Sequence, residues 1–249
     1  MCLIGFRLQS DGLLLAANRD EAADRPTAPM HWWPQGFVAG QDLSAGGTWL
    51  GLTRSGRFAA VTNVRDPSIK GNAIPRSSRG LLVREFLETD IDPERYLDSL
   101  LGQLSEPSPF NLIVGSISAQ SATGYWLGGR TRECRRLSPG VHVLSNAELN
   151  TPWPKAVALR QALVAGTLAE IEAAMTSTVT MEDHLLPSTG VSIDWERRLS
   201  AAKITGEDYH TRSSTLIQVK GGTAAVKETV WSPQGEALAT FKEVFLLQA

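Results

Sequence analysis

Short apolar, strand-like runs near the start of the chain, separated by turn residues, predict two β-hairpins. Ser10-Asp11-Gly12 and Arg54-Ser55-Gly56 supply the turn residues. The four strands predicted around these turns cover residues 2–8, 13–17, 48–53 and 57–63. Between the hairpins, the segment from about Arg19 to Gly47 contains several prolines and glycines, which predicts a long irregular loop of the kind that often shapes a site.

Apolar residues at i, i+4 spacing predict a pair of helices after the second hairpin. The first helix begins near Ser77 or Ser78, both good N-cap residues, and places Leu82 and Phe86 on one face. The second opens at Asp92-Pro93-Glu94, where proline takes the first helical position and an acid lies in the first turn.

Strands return after the helix pair, and a second group of helices divides them. This helical block runs from about 153 to 200, with breaks near Gly166 and at 187–190, and Gly221-Gly222 forms a later hairpin turn. The predicted strands cover residues 110–117, 124–127, 141–144, 215–219, 224–230 and 241–247. Short hairpins make antiparallel sheets and grouped helices cover outer faces, so the order predicts an α+β fold with sheet packed on sheet.

No internal repeat or Pro/Ser-rich linker marks a domain boundary, so residues 1–249 are expected to form a single domain. The order of elements argues against a doubly wound parallel sheet, which would alternate strand and helix. No glycine-rich phosphate loop follows a strand, so a nucleotide site has no support.

Composition narrows the class of protein. The chain has 249 residues, of which 42% are hydrophobic and 20% charged, a globular balance. Lys plus Arg number 24 and Asp plus Glu number 26, which gives a net charge of −2. The chain thus lacks the excess of basic residues that is typical of nucleic-acid-binding proteins. No apolar run approaches the ~18–20 residues of a membrane span, and the first residues lack the basic start of a signal peptide. We therefore expect a cytoplasmic protein.

Cysteine and histidine spacing predicts no metal site. Cys2 and Cys134 are too few for a disulfide framework or a four-cysteine zinc site, and the four histidines show no zinc-ligand spacing. Cys134 lies among arginines that could lower the pKa of its thiol, and an exposed strand or turn is the alternative setting.

Cys2 is the most informative residue because it directly follows Met1. If Met1 is removed, the chain starts with a cysteine whose free α-amine has a pKa of ~7.7–8.0, close to that of a useful general base. One residue would then hold nucleophile and base together, as in terminal-nucleophile enzymes. The alternative is a small core residue on an apolar strand.

Asn18-Arg19-Asp20-Glu21 ends the strand that pairs with the strand of Cys2, so the first hairpin brings these residues across from the thiol. An arginine there would stabilise a thiolate, and an aspartate could hold an α-ammonium group. A solvated run of charges after a strand is the alternative interpretation.

Six short motifs, in order, make the chain resemble the NRDE family, the group of the transport and Golgi organisation protein 2. They are Met1-Cys2, Asn18-Arg19-Asp20-Glu21, Gly46-Gly47-Thr48-Trp49-Leu50, Val61-Thr62-Asn63, Phe110-Asn111-Leu112 and Thr211-Arg212-Ser213-Ser214-Thr215. The resemblance implies an N-terminal-nucleophile (Ntn) hydrolase fold, a four-layer αββα sandwich of antiparallel sheets. More distantly, the chain is similar to the cysteine Ntn amidases of the penicillin V acylase and bile salt hydrolase group, which cleave amide bonds with a terminal cysteine.

The similarity to those amidases implies catalytic roles for five side chains. Cys2 would be the nucleophile, and Asp20 would hold its α-amine. Asn63 and Asn146 would orient the amine or donate hydrogen bonds to the oxyanion. Arg212 would be the late-chain arginine near the thiolate.

Four further residues are expected to contact the substrate: Asn18, Arg19, Trp32 and Trp33. The amidases separate their early arginine and aspartate by two residues, whereas Arg19 and Asp20 are adjacent and point to opposite faces of a strand. Asp20 is therefore the stronger catalytic assignment. Trp32 and Trp33 lie in the proline-containing segment, where they either line a ligand groove or cap an edge of the core.

Two functions from different classes follow from these residues. The first is an amidohydrolase that forms a thioester at Cys2, acts on a small, partly apolar amide or acyl compound and requires no cofactor. The second is a non-catalytic binding or trafficking protein on the same scaffold, because the resembled group is associated with lipid and haem handling, and haem would then be a ligand. Retention of Met1 would block the α-amine and favour the second function.

Overall fold

The computed structural model describes residues 2–68, 78–105 and 107–248, and this part of the chain forms two antiparallel β-sheets with helices outside them. The strands are β1 (Cys2–Gln9), β2 (Gly12–Ala22), β3 (Thr27–Trp32), β4 (Phe37–Asp42), β5 (Leu50–Thr53), β6 (Arg57–Asn63), β7 (Phe110–Ile117), β8 (Ala122–Gly128), β9 (Glu133–Arg136), β10 (Gly140–Leu144), β11 (Tyr209–Lys220), β12 (Thr223–Trp231) and β13 (Ala237–Leu246). The first sheet has the order β10-β1-β2-β11-β12-β13, and the second has the order β3-β4-β5-β6-β7-β8-β9.

The helices form the two outer layers. They are α1 (Arg79–Leu87), α2 (Pro93–Gln103), α3 (Pro154–Ala165), α4 (Leu168–Thr176) and α5 (Ile193–Ser200), with a short 3-10 turn at Asp183–Leu185. α3 and α4 pack on the first sheet, and α1 and α2 pack on the second sheet. The main core lies between the sheets. This arrangement confirms the predicted α+β, four-layer αββα sandwich.

Several helix ends follow directly from local sequence. The Ser78 hydroxyl accepts a hydrogen bond from the N–H of Gly80 at the start of α1, and Asp92 caps α2. Gly166 ends α3 with φ of 88°, the left-handed conformation that glycine tolerates best. Ser77, the alternative start of the first helix, lies outside the described residues. Among the helices that the structure describes, none is long and apolar enough to cross a bilayer.

The prediction of an irregular loop from Arg19 to Gly47 is wrong. β2 continues to Ala22, and β3 and β4 form the edge of the second sheet within this segment. Pro29 lies in β3 where the pairing with β4 is irregular, and an edge strand tolerates the missing N–H of a proline.

The first hairpin sets the position of the site. Gln9 pairs with Gly12 across a two-residue turn, and this register pairs Cys2 with Arg19 at the far end of the hairpin. β11 pairs with the other edge of β2, where Thr211 lies opposite Asp20. The ends of three strands distant in sequence are therefore brought together.

Candidate active site

A cavity of about 350 Å³ opens between the sheets where β1 begins and β2 ends. It is lined by Cys2, Arg19, Asp20, Glu21, Arg25, Asp42, Ala45, Thr48, Trp49, Val61, Asn63, Ser78, Arg79 and Gly80. Four of the residues singled out from the sequence therefore border one cavity, namely Cys2, Arg19, Asp20 and Asn63.

The side chain of Cys2 lies on the inter-sheet face of β1 and is 9% exposed. The backbone N–H of Asp20 donates a hydrogen bond to the sulfur, and the hydroxyl of Ser145 donates to the carbonyl oxygen of Cys2 over 3.4 Å. Burial raises the pKa of the Cys2 thiol above its ordinary value, and the positive charge of Arg19 opposes that rise. The thiol is therefore protonated at neutral pH, so a nucleophilic role for it requires a base.

Arg19 shares the face of Cys2, because the two residues are direct partners in the β1–β2 ladder. Its guanidinium lies 4.3 Å from the ring centroid of Trp49 and donates to the Thr27 hydroxyl over 2.9 Å. It also lies 3.7 Å from the carboxylate of Asp42. These contacts hold a positive charge beside the sulfur, where it favours a thiolate or an anionic group of a ligand.

Trp49 forms the aromatic wall of the cavity. Its ring packs against Gly40, where a Cβ atom would lie 2.3 Å from the indole. The prediction that Trp32 and Trp33 line the groove is wrong for this cavity, because neither belongs to its lining. Trp33 is buried in the main core, and Trp32 packs edge-on against Phe245 with ring centroids 4.9 Å apart. Both tryptophans therefore pack against the core, in agreement with the alternative interpretation.

Asn63 and Asn146 have different positions in the site. Asn63 ends β6 and borders the cavity. Asn146 follows β10, is 1% exposed, and donates from Nδ2 to the backbone carbonyl of Asn63 over 2.9 Å. Its own carbonyl accepts a hydrogen bond from the N–H of Arg65 over 2.9 Å. Asn146 therefore holds the end of β6 in place, and Asn63 is the one of the two asparagines that borders the cavity.

The carboxyl group of Asp20 lies on the face of the first sheet opposite to the Cys2 thiol. Its carboxylate accepts a hydrogen bond of 2.6 Å from the hydroxyl of Thr211, which in turn accepts 2.8 Å from the N–H of Ile204. Burial raises the pKa of Asp20 above its ordinary value, and the positive charge of Lys155 counteracts that rise. The geometry thus places the thiol on one face of the hairpin and a buried carboxyl group on the other.

Asn18 does not contact the cavity, and its assignment as a substrate-binding residue is wrong. It lies on the helix-covered face of β2, is 1% exposed, and donates from Nδ2 to the carbonyls of Met175 and Ala202, each over 2.8 Å. Its side-chain oxygen accepts a hydrogen bond of 2.6 Å from the hydroxyl of Ser214. Asn18 fastens the helical layer to the sheet.

Arg212 lies away from the thiol, contrary to the role implied by the amidase resemblance. Its guanidinium donates to the backbone carbonyls of Ala22, Ala23 and Arg25 over 2.9, 3.0 and 3.2 Å. It borders a separate cavity of about 60 Å³. Arg212 therefore shapes the turn after β2, and it shares the lining of this smaller cavity with Trp49.

Several charged residues in or beside the site were missed from the sequence, among them Arg25, Asp42, Arg79 and Lys155. Arg79, the first residue of α1, borders the cavity. Lys155 is 6% exposed and lies on the buried face of α3, four residues before the fully buried Leu159. Lys155 could have been found from the sequence, because it lies in the apolar face of a predicted helix, where a lysine is unusual. Arg79 carried no comparable signal, because arginine in a first turn is common on exposed surfaces.

Cys134 lies in β9, so the strand interpretation of its setting is confirmed. Burial raises the pKa of its thiol to about 11, and the negative charges of Asp98 and Glu94 add to the rise. The expectation that nearby arginines lower this pKa is therefore wrong, since Arg135 is paired with Glu133 at 2.6 Å instead. Within residues 2–68, 78–105 and 107–248, no three His, Cys, Asp or Glu side chains are arranged to hold a metal ion.

Comparison with known proteins identifies the family. The model of the family described as Transport and Golgi organisation 2 matches residues 1–230. The chain is 31% identical over 247 residues to the Transport and Golgi organization protein 2 homolog of Bos taurus, covering 88% of each chain. It is 31% identical over 250 residues to the homolog of Homo sapiens, again covering 88% of each chain.

Among solved structures, the chain is similar to the Caenorhabditis elegans N-acylethanolamine-hydrolyzing acid amidase (NAAA) ortholog, with a TM-score of 0.48 and 12% identity over 87% of this chain and 92% of that chain. The family model and the mammalian relatives span most of the sequence, and the chain therefore belongs to the Transport and Golgi organisation 2 family.

Proposed function

We propose that the protein is an N-terminal-cysteine hydrolase that cleaves the amide or a related acyl bond of a small substrate through a thioester at Cys2. The observation that carries this proposal is the position of the Cys2 sulfur, which borders a 350 Å³ cavity beside the guanidinium of Arg19 and the end of β6 at Asn63. Cavities of this size suit small-molecule ligands. A core cysteine of purely structural importance would not be placed among these charged groups.

The base in this proposal is the α-amine of Cys2 after removal of Met1. Burial keeps the thiol protonated at neutral pH, so attack requires proton removal. Among the described residues that line the cavity, none is a histidine. An α-amine with a pKa of ~7.7–8.0 lies on the same residue as the thiol and suits this role.

The reaction proceeds in two steps. The α-amine takes the thiol proton, the sulfur attacks the substrate carbonyl carbon, and the proton passes to the leaving nitrogen as the carbon–nitrogen bond breaks. The α-amine then takes a proton from a water molecule as the water oxygen attacks the thioester carbon. The carbon–sulfur bond breaks, the acyl group leaves as a carboxylic acid, and the proton passes from the α-amine to the Cys2 sulfur. Asn63 is the candidate donor to the oxyanion, a contact worth about 2.7–4 kcal/mol where it has been measured.

The cavity lining revises the expected substrate. Arginines and carboxylates dominate it, and Trp49 and Val61 are its larger apolar residues. We therefore propose a predominantly polar substrate with one small apolar group that packs on Trp49. Haem fits this lining poorly, because a large apolar macrocycle would displace charged side chains from their hydrogen bonds. The proposed reaction needs no cofactor. Both cysteines are free thiols, which suits the reducing cytoplasm as the place of action.

The test compares Cys2→Ala and Cys2→Ser with Cys134→Ser as the matched control, using the intact chain and a panel of polar N-acyl compounds. Intact mass first establishes whether Met1 is removed. Hydrolysis that is abolished in Cys2→Ala, retained in Cys134→Ser, and accompanied by an acyl adduct on Cys2 supports the proposal. Full hydrolysis by Cys2→Ala refutes it.

The non-catalytic carrier is the competing outcome of the same experiment. A ligand that binds the wild type and Cys2→Ala with equal affinity, in protein that retains Met1, would replace hydrolysis by binding as the function. The charged lining makes a polar ligand the expected occupant in that case as well.

A further inference from the structure

Lys155 is a buried cation on the helix-covered side of the first sheet. Its Nζ donates to the backbone carbonyl of Leu199 over 2.7 Å and to that of Ala201 over 3.4 Å. The side chain is only 6% exposed. A buried ammonium group is costly, so its presence here requires a reason beyond binding two carbonyls.

The segment that holds Lys155 also holds Asp20. This segment, residues 199–204, gives two carbonyls to Lys155, and the N–H of Ile204 donates to the hydroxyl of Thr211 over 2.8 Å. The same hydroxyl donates to the Asp20 carboxylate over 2.6 Å. Lys155 and Asp20 are thus fixed to one short piece of chain on the same side of the sheet.

The other charges around Lys155 largely compensate one another. Arg65 and Glu196 border the same small void as Lys155, and their side chains pair at 3.2 Å. With that pair neutralised, the Asp20 carboxylate is the charge left to balance the Lys155 ammonium. Burial lowers the pKa of Lys155, and Asp20 is the first of the charges that counteract this.

Asp20 has its own charged surroundings. Glu21 is its neighbour on β2, Tyr209 acts on it from β11, and the thiol of Cys2 acts on it from the other face of the hairpin. A carboxylate, a phenol and a thiol all disfavour a negative charge on Asp20 when they ionise. Lys155 is the first among the positive charges that favour ionised Asp20.

We propose that Lys155 is the positioning residue that keeps Asp20 ionised, so that its carboxylate can hold the α-amine of Cys2. This inference rests on the proposed function for its purpose, since the α-amine matters only in a terminal-nucleophile enzyme. The charge state of Asp20 is nevertheless measurable without any hydrolysis. Lys155 acts through Asp20 and does not touch the substrate.

The test measures the ionisation of Asp20 directly in the full chain. The carboxyl carbon is followed by ¹³C NMR through a pH titration, and its signal is assigned by its loss in Asp20→Asn. In Lys155→Met the titration midpoint is expected to rise by about one pH unit or more, a tenfold or greater gain in proton affinity, as is typical for the loss of a close opposite charge. Lys155→Arg, which keeps the charge, is expected to restore the wild-type midpoint.

Lys203→Met is the matched control. Lys203 belongs to the same segment and is 8% exposed, but its Nζ donates to the carbonyl of Gly235 over 2.7 Å and lies 3.8 Å from the ring centroid of Trp231. The Lys203→Met variant should be less stable than the wild type, but the titration midpoint of Asp20 should not move. If Lys155→Met does not fold, Lys155→Gln takes its place.

An unchanged midpoint in the charge-removing variant Lys155→Met or Lys155→Gln, or an equal shift in Lys203→Met, overturns the inference. Failure of the proposed function has a different signature, since Cys2→Ala would then retain hydrolysis whatever the Asp20 titration shows. If hydrolysis does depend on Cys2, the acid limb of its pH profile should move upward in Lys155→Met and stay in place in Lys203→Met.

Discussion

Asn18→Ala tests the conclusion that the first residue of the Asn18–Glu21 motif fastens layers together and does not bind substrate. The substitution removes two donated hydrogen bonds of 2.8 Å and one accepted bond of 2.6 Å. The carbonyls of Met175 and Ala202 and the hydroxyl of Ser214 lose this partner in a buried setting. At ~0.5–1.5 kcal/mol for each bond, and more where a polar group stays unsatisfied, the free energy of unfolding should fall by about 2–4 kcal/mol.

For a chain of this size, that loss corresponds to a fall in Tm of about 5–15 °C. Thermal unfolding followed by circular dichroism measures it. The rate of Cys2 alkylation by iodoacetamide, at a temperature where the variant is folded, should stay at the wild-type value because Asn18 faces away from the cavity. Asn18→Asp is the matched control, since it keeps the acceptor for Ser214 but loses both donors, and it should be destabilised as well. A Tm within about one degree of wild type, or a lost alkylation rate in folded Asn18→Ala, would refute the reasoning.

Three further outcomes are expected. Arg19→Met removes the charge that opposes the raised pKa of the Cys2 thiol, so alkylation should slow at neutral pH and converge with wild type at high pH, and identical pH profiles would contradict this. Gly40→Val should push the Trp49 ring from its position, lowering Tm and ligand binding together, because even a Cβ comes within 2.3 Å of the ring. Burial raises the pKa of Glu228 above its ordinary 4.5, so this group contributes its full stability below that pH and loses it as pH rises through the raised value. Glu228→Gln should therefore match wild type in urea unfolding at pH 4 and exceed it at pH 7, and a constant difference would count against this.

Local signals in the sequence predicted the parts of the fold that depend on local physics. Ser78, Asp92 and Gly166 begin or end helices because their own side chains or backbone conformations satisfy helix ends. The hairpin turns and the grouping of strands and helices are also local signals, and they predicted the order of the layers. β3 was missed because it is an edge strand with a proline and an irregular register, and it therefore lacks a clear alternation.

The candidate site was predictable only in part because it depends on register. The hairpin was enough to bring residues 18–21 to Cys2, but which of them faces the cavity changes with a shift of one residue. The observed turn pairs Cys2 with Arg19 and sends Asn18 to the opposite face. The aromatic wall is set by Gly40 in a neighbouring strand, so no pattern near Trp49 marked it.

Cys2, which would perform the chemistry, lies in the first sheet, whereas Trp49, which limits the space for a ligand, directly precedes β5 of the second sheet. Replacements in the β4–β5 region and the first turn of α1 can thus alter which molecules fit while the hairpin that carries the sulfur stays untouched. Diversification within this family should accordingly concentrate on the second sheet, and a swap of that sheet's cavity-facing side chains between two relatives should transfer preference for a ligand without transferring reactivity.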